Sequence, residues 1–482
     1  MIRIDPKTVH PLHHAAIHFT DNIALISENL TLSYSEIFQQ ALSISDYFEQ
    51  RGLKTGEIIV LDDLTPKNLI LFFWACTLGG YIAFPINTRF PDDALAEIIR
   101  GINPALVITS RSLFFKMAIT PNELLNISAN LDSREMQSFN PDSSASLLMT
   151  SGSAGSAKLV QHSLMNHIAS ALGSNQNIKL NPGDRWLLTL PLYHVGGLAI
   201  LFRSVLAGSA VVIANDSQSL LQNISAYQIS HLSLVATQLQ RIVGETDSPQ
   251  ILTSLRVLLL GGSAMPQALL QTALNMNLPI HVSYGSTEMA SQITTTTVTH
   301  RSDSLTHSGE VLPGRDLIIS HEGEILVKGS TLAQGYRVGS ALTSITDLEG
   351  WFHTGDVGYI NVQGALTVTG RLDNQFISGG ENIQPEHIER ALEKLPGIIQ
   401  AIVIPQHDKE FGFRPVAFLQ LDTIPPDAAQ IQIDLKHTLP GYMIPKIYFQ
   451  LPQENHSDKL KISRQDLSND LVHRNKHLHS LT

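Results

Sequence analysis

The segment 147–158 reads LLMTSGSAGSAK and places an apolar run directly before a row of small residues that ends in Lys158. The apolar run 147–149 predicts a buried strand. Beyond the lysine, Ser163 is suited to cap a helix whose apolar positions begin at Leu164. The sequence therefore predicts a strand, then a loop in which the backbone can approach a ligand closely, and then a helix.

Similar apolar runs recur along the first 370 residues, separated by helical stretches. Several of them end at Gly, Asn or Ser, which is typical of buried strands in a largely parallel α/β sheet. The runs lie at 58–61, 106–108, 147–149, 187–190, 210–213, 232–235 and 257–260.

After Gly370 the pattern changes, and a shorter stretch with its own strands and helices follows. The elements expected there are a helix at about 385–395 and strands at 401–404 and 416–421. Since 482 residues exceed one ordinary hydrophobic core, we predict an α/β protein with two domains. These are a large N-terminal domain of mixed and parallel sheets layered with helices (1–371) and a small C-terminal α+β lid domain (374–482). The hinge between them is predicted at Asp373.

Composition excludes several classes of protein. Hydrophobic residues make up 43% of the chain and charged residues 16%, as in a soluble globular enzyme and unlike a disordered protein. The formal net charge of −11 argues against general affinity for nucleic acid, although a few local cations could still hold a nucleotide. The single cysteine, Cys76, excludes a disulfide framework within the chain and fits a reducing compartment.

Residues 68–88 carry no formal charge and raise the question of a membrane span. Gly79, Gly80 and Pro85 interrupt the stretch, which favours a buried helix followed by a strand. Residues 1–14 lack the apolar core of a signal peptide. The expectation is a cytoplasmic protein without stable membrane insertion.

The loop that follows the run at 147–149 has the chemistry of a phosphate site. Small residues let backbone N–H groups turn toward an anion, hydroxyl groups add donors, and the lysine adds charge. The residues assigned to it are Thr150, Ser151, Gly152, Ser153, Gly155 and Lys158. It is not a Walker A loop, because the order Gly-Lys-Ser/Thr is absent. Taken alone, such a loop could also be a flexible turn.

Further segments offer contacts for a base, a sugar and a metal ion, the other parts of a bound nucleotide. Tyr284 offers a ring face to a purine, and Thr287 and Glu288 offer oxygen ligands to Mg²⁺. Asp356 is suited to accept hydrogen bonds from ribose hydroxyls, with Arg371 as a cation near the same sugar. A strip of bare backbone could lie beside the base, and the small residues assigned to base and strip are Gly261, Gly262, Ser263, Ser283 and Gly285.

These segments resemble the motifs of the adenylate-forming superfamily, which includes acyl-CoA synthetases, luciferases and peptide-synthetase adenylation domains. The matching segments, in the family's order, are TSGSAGSAK (150–158), YGSTE (284–288), TGD (354–356), GRLD (370–373) and KISR (461–464). The resemblance covers about residues 30 to 465. It implies an ATP-dependent ligase that forms an acyl-adenylate and passes the acyl group to coenzyme A.

The resemblance also implies roles outside the nucleotide motifs. Lys461 is expected to neutralise charge on the reacting oxygens, with Thr287 and Glu288 as further catalytic residues. The small domain is expected to rotate about Asp373 between the two steps. This motion would bring a loop to the coenzyme A tunnel, formed by Ser378, Gly379, Gly380 and Glu381. From their position at a helix start, we expect the acids Glu381, Glu386 and Glu389 to be mostly solvated.

The chain departs from the family's loop, which usually reads Ser-Gly-Thr-Thr-Gly-x-Pro-Lys-Gly. Ala154 replaces a threonine, Ala157 the proline and Leu159 the final glycine. The usual glycine before the C-terminal lysine is Leu460, and Lys459 adds a second lysine. The spacing to Arg464 favours Lys461 as the acting residue.

Within the superfamily the chain most resembles the o-succinylbenzoate–CoA ligases of menaquinone synthesis, on residues 190–197, 201–204, 284–292 and 378–386. The substrate would then be an aromatic dicarboxylate, and the substrate residues would be His194, Gly197, Arg203 and Ser286. Alternatives are a ligase of the same superfamily for another aryl or fatty acid and a non-catalytic nucleotide-binding protein. The expected partners are a small carboxylic acid, ATP and coenzyme A, and the chain could form a homo-oligomer.

Two of the substrate assignments leave alternatives open. Arg203 stands in an apolar run, where an unpaired guanidinium is costly. It could meet the second carboxylate of the acid, reach the surface, or pair with a structural acid. His194 could border the acyl pocket or simply cap a turn. The other histidines, such as His10 and His14, are interpreted as solvated, and none has convincing metal-ligand spacing.

Overall fold

A computed structural model describes residues 9–87, 92–111, 117–127, 139–150, 158–245, 252–262, 265–298, 306–421, 427–451 and 464–472. The helices of these parts are α1 (Pro11–His18), α2 (Tyr34–Gln50), α3 (Pro66–Leu78), α4 (Asp92–Ile102), α5 (Pro121–Leu125), α6 (Leu164–Ile178), α7 (Val195–Ala207), α8 (Leu220–Ala226), α9 (Ala236–Glu245), α10 (Gln267–Asn275), α11 (Pro385–Leu392), α12 (Ala428–Leu435) and α13 (Arg464–Val472). Short 3-10 helices lie at Leu372–Asn374 and Gly441–Met443.

The first sheet has a parallel centre and antiparallel edges. In spatial order its strands are β15 (Glu310–Val311), β14 (Ser291–Thr295), β13 (Ile280–Ser286), β12 (Val257–Leu260), β11 (His231–Leu234), β9 (Arg185–Leu188), β10 (Ala210–Ile213), β1 (Ile23–Ser27) and β2 (Leu30–Ser33). Strands β12 and β13 are parallel neighbours with Leu260 opposite Val282, so the segment that follows Leu260 begins beside the second half of β13.

The second sheet is parallel from β7 to β6 and antiparallel at its other edge. Its strands are, in spatial order, β19 (Ala341–Thr343), β18 (Gly335–Val338), β8 (Lys158–Ser163), β7 (Ser144–Thr150), β4 (Ile82–Pro85), β3 (Ile58–Asp62), β5 (Leu106–Thr109) and β6 (Ala118–Ile119). The register of β7 and β8 pairs Thr150 with Lys158.

Two smaller sheets complete the fold. One is antiparallel and consists of β16 (Arg315–Ile319), β17 (Glu324–Gly329), β20 (Phe352–Ile360) and β21 (Leu366–Arg371). The other consists of β23 (Glu381–Ile383), β22 (Phe376–Ser378), β25 (Gly412–Leu421) and β24 (Ile398–Asp408), with β26 (Ile447–Gln450) parallel to β25.

A layer of helices separates the two large sheets and forms the main core. Phe73 and Trp74 of α3 meet Phe202 of α7, with ring centroids 5.9 and 5.2 Å apart. Helix α3 is buried at every position from Leu69 to Thr77, because it is covered on all sides. This explains the uncharged stretch predicted at 68–88, whose described part (68–87) contains most of α3 and all of β4. In the parts of the chain described, no helix has both the length and the apolar character needed to cross a bilayer.

The predicted α/β class is confirmed by this arrangement of sheets and helices. The runs at 210–213 and 257–260 coincide with β10 and β12. The run at 187–190 was predicted too far along the chain, because Thr189 turns back and donates its N–H to the Leu187 carbonyl at 3.1 Å. Ser163 caps α6 as predicted, since its hydroxyl accepts from the Asn166 N–H at 3.2 Å.

The prediction that His10 and His14 are solvated is wrong. Both side chains are buried, and His10 Nε2 lies 3.2 Å from the Thr77 hydroxyl. The sequence alone does not predict the burial of His10, because its partner Thr77 is 67 residues away.

The segment from Phe376 to Leu471 forms apolar clusters of its own. Successive residues of β24 and β25 face opposite sides of their sheet, so α11 and α12 cover one face while Leu467 of α13 packs on the other. Helix α11 ends at Leu392, three residues before the predicted end. The domain boundary at Asp373 stays a prediction.

Candidate active site

Tyr284, Asp356 and Arg371 form one hydrogen-bonded group. The Tyr284 hydroxyl donates to Asp356 Oδ2 at 2.6 Å, and Arg371 Nη1 donates to Asp356 Oδ1 at 2.8 Å. The register of β20 and β21 sets Asp356 opposite Arg371, while Tyr284 arrives from β13. Burial, followed by the charge of Asp356, raises the pKa of Tyr284 well above its usual value. The phenol therefore remains a donor, and the group offers a carboxylate, a ring and a cation together.

Two segments with small residues lie beside this group. A side chain at position 261 would collide with Ser283, because a Cβ added to Gly261 would lie 2.7 Å from the Ser283 Oγ. The Ser283 hydroxyl donates to the Leu260 carbonyl at 3.2 Å, and Gly262 has a positive φ of 85°. An added Cβ on Gly285 would collide with the Ser291 carbonyl. These contacts explain why glycine is needed here for close backbone approach.

The turn 287–290 joins β13 to β14 and carries Glu288. The Tyr336 hydroxyl donates to Glu288 Oε1 at 2.8 Å, and Lys158 Nζ lies 4.7 Å from the centroid of the Tyr336 ring. Burial and the charge of Glu288 raise the pKa of Tyr336, so it too remains a donor. Strand β18, which carries Tyr336, pairs with β8, which begins at Lys158. A carboxylate and an ammonium group thus both lie near the same tyrosine, the first at its hydroxyl and the second over its ring.

Glu288 fits a magnesium ion that arrives with a nucleotide. Mg²⁺ in proteins is usually held by one or two carboxylates together with phosphate and water oxygens. Among the described residues, no group of three or more His, Cys, Asp or Glu could hold a metal ion by itself. A single carboxylate beside Lys158 is therefore the donor set expected where phosphate oxygens supply the other ligands.

His162 was missed by the sequence analysis, although it supports this turn. Its Nε2 lies 2.7 Å from the Thr287 carbonyl oxygen, which can only accept, so Nε2 carries the proton. Burial lowers the pKa of His162 to about 4 and keeps the ring neutral. The signal in the sequence is spacing, because residues 158 and 162 of one strand share a face.

Other contacts hold the same turn from outside the predicted motifs. The Ala333 N–H donates to the Glu288 carbonyl at 2.7 Å. The Ser170 hydroxyl of α6 donates to the Ala290 carbonyl at 2.7 Å. The turn that presents Glu288 is therefore fixed by three different parts of the chain.

Arg203 lies inside the molecule, with 1% of its surface exposed. Its Nη2 donates to the Ser291 hydroxyl at 3.0 Å, and its guanidinium carbon lies 5.3 Å from the centre of the Trp186 ring. No ion pair to Arg203 is found within the described ranges, and its Nε is buried there without a hydrogen-bond partner. Burial, followed by the charge of Arg315, lowers the pKa of Arg203 to about 9. The guanidinium therefore neither reaches the surface nor pairs with a described structural acid.

The remaining predicted substrate residues lie around the start of α7 and the end of β13. His194 is exposed and precedes α7, where its carbonyl accepts from the N–H of Gly197 at 3.1 Å. An added Cβ on Gly197 would collide with the Pro191 carbonyl. Ser286 pairs with Ser291 in the β13–β14 hairpin. Because Ser291 also accepts from Arg203, the hairpin links the buried guanidinium to the turn of Glu288.

The predicted coenzyme A segment forms the β22–β23 hairpin. Gly379 and Gly380 make its turn with φ angles of 59° and 90°, which favour glycine. The Gly379 N–H donates to the Phe411 carbonyl at 2.9 Å. Asp373 Oδ2 lies 3.2 Å from Arg371 Nη2.

Some predicted site residues lie outside the described residues, so their positions stay predictions. They are Ser151, Gly152, Ser153, Gly155, Ser263 and Lys461.

The expectation that the acids of the 380s are solvated is wrong for two of them. Glu389 is buried and pairs with Arg464, and Glu386 accepts a hydrogen bond from Asn374 at 2.5 Å. Glu381 is exposed, as expected.

Comparison with known proteins identifies the family of this chain. Residues 12–337 match the family described as AMP-binding enzyme. The chain belongs to this family.

Similar proteins within this family carry a more specific name. The chain is 32% identical over 449 residues to the 2-succinylbenzoate–CoA ligase of Escherichia coli (strain K12), covering 93% of this chain and 95% of that protein. It resembles the o-succinylbenzoate CoA synthetase (MenE) of Bacillus subtilis in complex with the acyl-adenylate intermediate OSB-AMP. That likeness has a TM-score of 0.83 at 30% identity and covers 95% of this chain and 97% of the other. The same synthetase in complex with ATP and magnesium ion also gives a TM-score of 0.83 at 30% identity, covering 95% of this chain and 99% of the other.

Proposed function

We propose that this chain joins 2-succinylbenzoate to coenzyme A at the expense of ATP, through an acyl-adenylate, as a step of menaquinone synthesis. The products are 2-succinylbenzoyl-CoA, AMP and diphosphate. The choice of a dicarboxylic acid as substrate rests on Arg203, which is a buried guanidinium with no described carboxylate partner. A dicarboxylate that reacts at one end supplies the missing charge with its other end, and this removes the cost of burying the cation alone.

The first step needs charge compensation more than a base. A substrate carboxylate oxygen attacks the α-phosphorus of ATP, the bond between the α- and β-phosphates breaks, and diphosphate leaves. Because the attacking group is already an anion, the obstacle is repulsion between negative charges, and preorganised cations and donors lower it. We assign Lys461 to the carboxylate and α-phosphate, and Lys158 with the 150–158 loop to the β- and γ-phosphates. Glu288 would hold Mg²⁺, which neutralises phosphate charge when bound.

The nucleoside is held by the other group of residues. Asp356 accepts from the ribose hydroxyls, with Arg371 beside it, and the base lies between Tyr284 and the bare backbone at Gly261. The Tyr284 and Arg371 contacts fix the carboxylate before ATP arrives. Such preorganisation avoids the cost of ordering these side chains on binding.

In the second step the thiol of coenzyme A attacks the acyl carbon, the mixed-anhydride bond breaks, and AMP leaves. Lys461 is not needed for this step, but a route for the pantetheine arm is. We assign the hairpin 378–381 to that route, reached by rotation of the small domain about Asp373. Hinge motions of this kind depend on a few residues that absorb large dihedral changes.

The test compares two acids in two enzymes. The acids are 2-succinylbenzoate and 4-oxo-4-phenylbutanoate, which lacks only the ring carboxylate. Arg203→Leu should raise the KM for 2-succinylbenzoate by tens-fold, since a charge-assisted hydrogen bond contributes about 1.5–3 kcal/mol. The same substitution should leave the KM for 4-oxo-4-phenylbutanoate almost unchanged. An unchanged KM for 2-succinylbenzoate would reject the role of Arg203. Faster thioester formation from benzoate or medium-chain acids would reject the substrate itself.

Acid-dependent exchange of diphosphate into ATP decides whether the chain is an enzyme of this type at all. A protein that only binds nucleotide would show no exchange with any acid. The matched control is Lys461→Ala, which should retain ATP binding and lower exchange by about 100- to 1000-fold, the usual cost of removing one preorganised charge contact.

A further inference from the structure

Glu389 is a buried carboxylate that the proposed reaction does not use. It lies on α11 with 9% of its surface exposed. Arg464 Nη2 approaches both of its oxygens, at 2.7 and 2.8 Å, and the Val403 N–H donates to Oε1 at 2.7 Å. Arg464 Nε also donates to the Val403 carbonyl at 3.4 Å. The first residue of α13 is thus fixed to α11 and to β24 at once.

Glu386, one turn earlier on α11, extends the contact toward the predicted hinge. Its Oε1 lies 3.2 Å from Arg464 Nη2 and accepts from Asn374 Nδ2 at 2.5 Å. Its Oε2 accepts from Gln384 Nε2 at 2.5 Å, and Gln384 donates in turn to the Arg371 carbonyl at 2.9 Å. A continuous polar chain therefore runs from Arg464 to the residue that holds Asp356.

A stabilising role alone does not explain this cluster. Helix α13 is already held by Leu467, which is buried in an apolar cluster with Ile402 and Phe418. Buried ion pairs are often no more stabilising than apolar residues of the same size, and their best-attested use is to fix one arrangement among several. The pair at Glu389 is thus suited to set where α13 begins.

The start of α13 matters because of what precedes it in the sequence. Lys461 stands three residues before Arg464, and three residues span at most about 11 Å even when fully extended. Any constraint on Arg464 therefore limits the region that the lysine can reach.

We propose that Glu389, assisted by Glu386, is a positioning residue for acyl-adenylate formation, which acts by fixing Arg464 and with it the origin of the Lys461 segment. This inference rests on the role given to Lys461 in the proposed function. It does not extend to thioester formation, in which that lysine takes no part.

The test separates the two half-reactions. Glu389→Gln should lower kcat for acid-dependent diphosphate exchange by about tenfold or more, as expected for coupling energies of about 1–3 kcal/mol between contacting residues. KM for ATP and for the acid should change less than kcat, because the lysine acts mainly on the charge that develops as the two anions react. Thioester formation from supplied acyl-adenylate and coenzyme A, which does not use the positioned lysine, should stay within about threefold. Equal losses in both half-reactions would overturn the proposal in favour of a structural role.

The matched control is Glu393→Gln, at the residue that caps the C-terminal end of α11. Glu393 is also a carboxylate, partly buried, and it accepts from a β24 backbone N–H, that of Ala401, at 3.2 Å. It should leave both half-reactions within about twofold, because among the described contacts Arg464 pairs with Glu386 and Glu389 and not with Glu393. A loss of exchange as large as that of Glu389→Gln would show that any change in α11 suffices and would overturn the proposal.

A double-mutant cycle links the effect to the lysine. In a Lys461→Ala background, Glu389→Gln should lower exchange by less than about twofold further, because the group it positions is gone. A further tenfold loss would overturn the positioning role. If Lys461→Ala alone leaves exchange intact, the proposed function has failed at that lysine, which is a different result. Arg464→Lys, which keeps the charge, should retain more exchange than Arg464→Gln, and the reverse order would count against the proposal.

Discussion

Asp356 is the point at which the nucleoside contacts converge, since one carboxylate accepts from Tyr284 and from Arg371. In Asp356→Asn the shape is kept, but the charge that strengthens bonds from ribose hydroxyls is lost. We expect KM for ATP to rise about 10- to 100-fold, from a charge-assisted contribution of about 1.5–3 kcal/mol. Diphosphate exchange measured against ATP concentration checks this, and KM for the acid serves as the internal control. An unchanged KM for ATP would contradict the ribose assignment.

The pairing of strands β18 and β8 brings Tyr336 close to both Glu288 and Lys158. Tyr336→Phe removes the hydroxyl that holds Glu288 Oε1 and keeps the ring beside Lys158. Loss of one such bond is worth about 1 kcal/mol, so we expect the Mg²⁺ concentration for half-maximal exchange to rise about fivefold. The control is Tyr359→Phe on β20, whose residue is 53% exposed. Equal Mg²⁺ requirements in wild type and Tyr336→Phe would show that the phenol does not position the carboxylate.

The same pairing shows how far the sequence could predict the site. Strands β10 and β12 and the cap at Ser163 follow from local patterns, so they were predictable. Glu288 was found because its own segment has an unusual composition. Tyr336 was not, because its partner is 48 residues away and only the sheet order brings them together.

Residues that support the site from a distance were missed for a related reason. Glu389 looks like a solvated acid on an amphipathic helix, since the arginine that buries it is 75 residues away. In the sequence, His162 is only one polar residue in a strand. Its role follows from its contact with the Thr287 carbonyl, which only the fold reveals. Local patterns identify residues that touch a ligand more readily than residues that hold others in place.

Buried neutral histidines make the whole molecule sensitive to acid. Burial lowers the pKa of His162 and of His231 to about 4 and that of His10 to about 3, from 6.5. Between pH 6.5 and 4 the unfolded chain therefore binds more protons at these sites, and stability falls as the pH falls. Glu393, whose pKa burial raises to about 7, has the opposite effect and offsets one histidine.

We therefore expect the free energy of unfolding to drop by about 2 kcal/mol or more from pH 7 to pH 5, since one full proton contributes about 1.4 kcal/mol per pH unit. Denaturant titrations at pH 7, 6 and 5 measure the slope. His231→Gln should reduce that slope by up to one proton whatever it does to stability at pH 7. A free energy of unfolding independent of pH over this range would contradict the neutral state of these side chains.

The hinge prediction concerns the molecule as a whole, because it separates two reactions that share one acyl-adenylate. Asp373 lies in the 3-10 helix Leu372–Asn374, and the φ of about −50 to −70° that is typical of such helices suits proline. Across this point, Gln384 donates to the Arg371 carbonyl and Arg390 Nη2 to the Thr369 carbonyl at 3.1 Å. These are side-chain hydrogen bonds to backbone carbonyls, which water can replace, so they allow rotation if the backbone at the hinge can turn.

Asp373→Pro fixes one φ angle and should block that rotation. We expect diphosphate exchange to stay within about fivefold of wild type and thioester formation from supplied acyl-adenylate to fall by about a hundredfold, a barrier increase of about 2.7 kcal/mol. Asp373→Ala, which removes the ion pair with Arg371 but leaves the backbone free, should retain both half-reactions. If proline lowers exchange as much as thioester formation, or if alanine has the same effect as proline, the reaction does not depend on rotation at this residue.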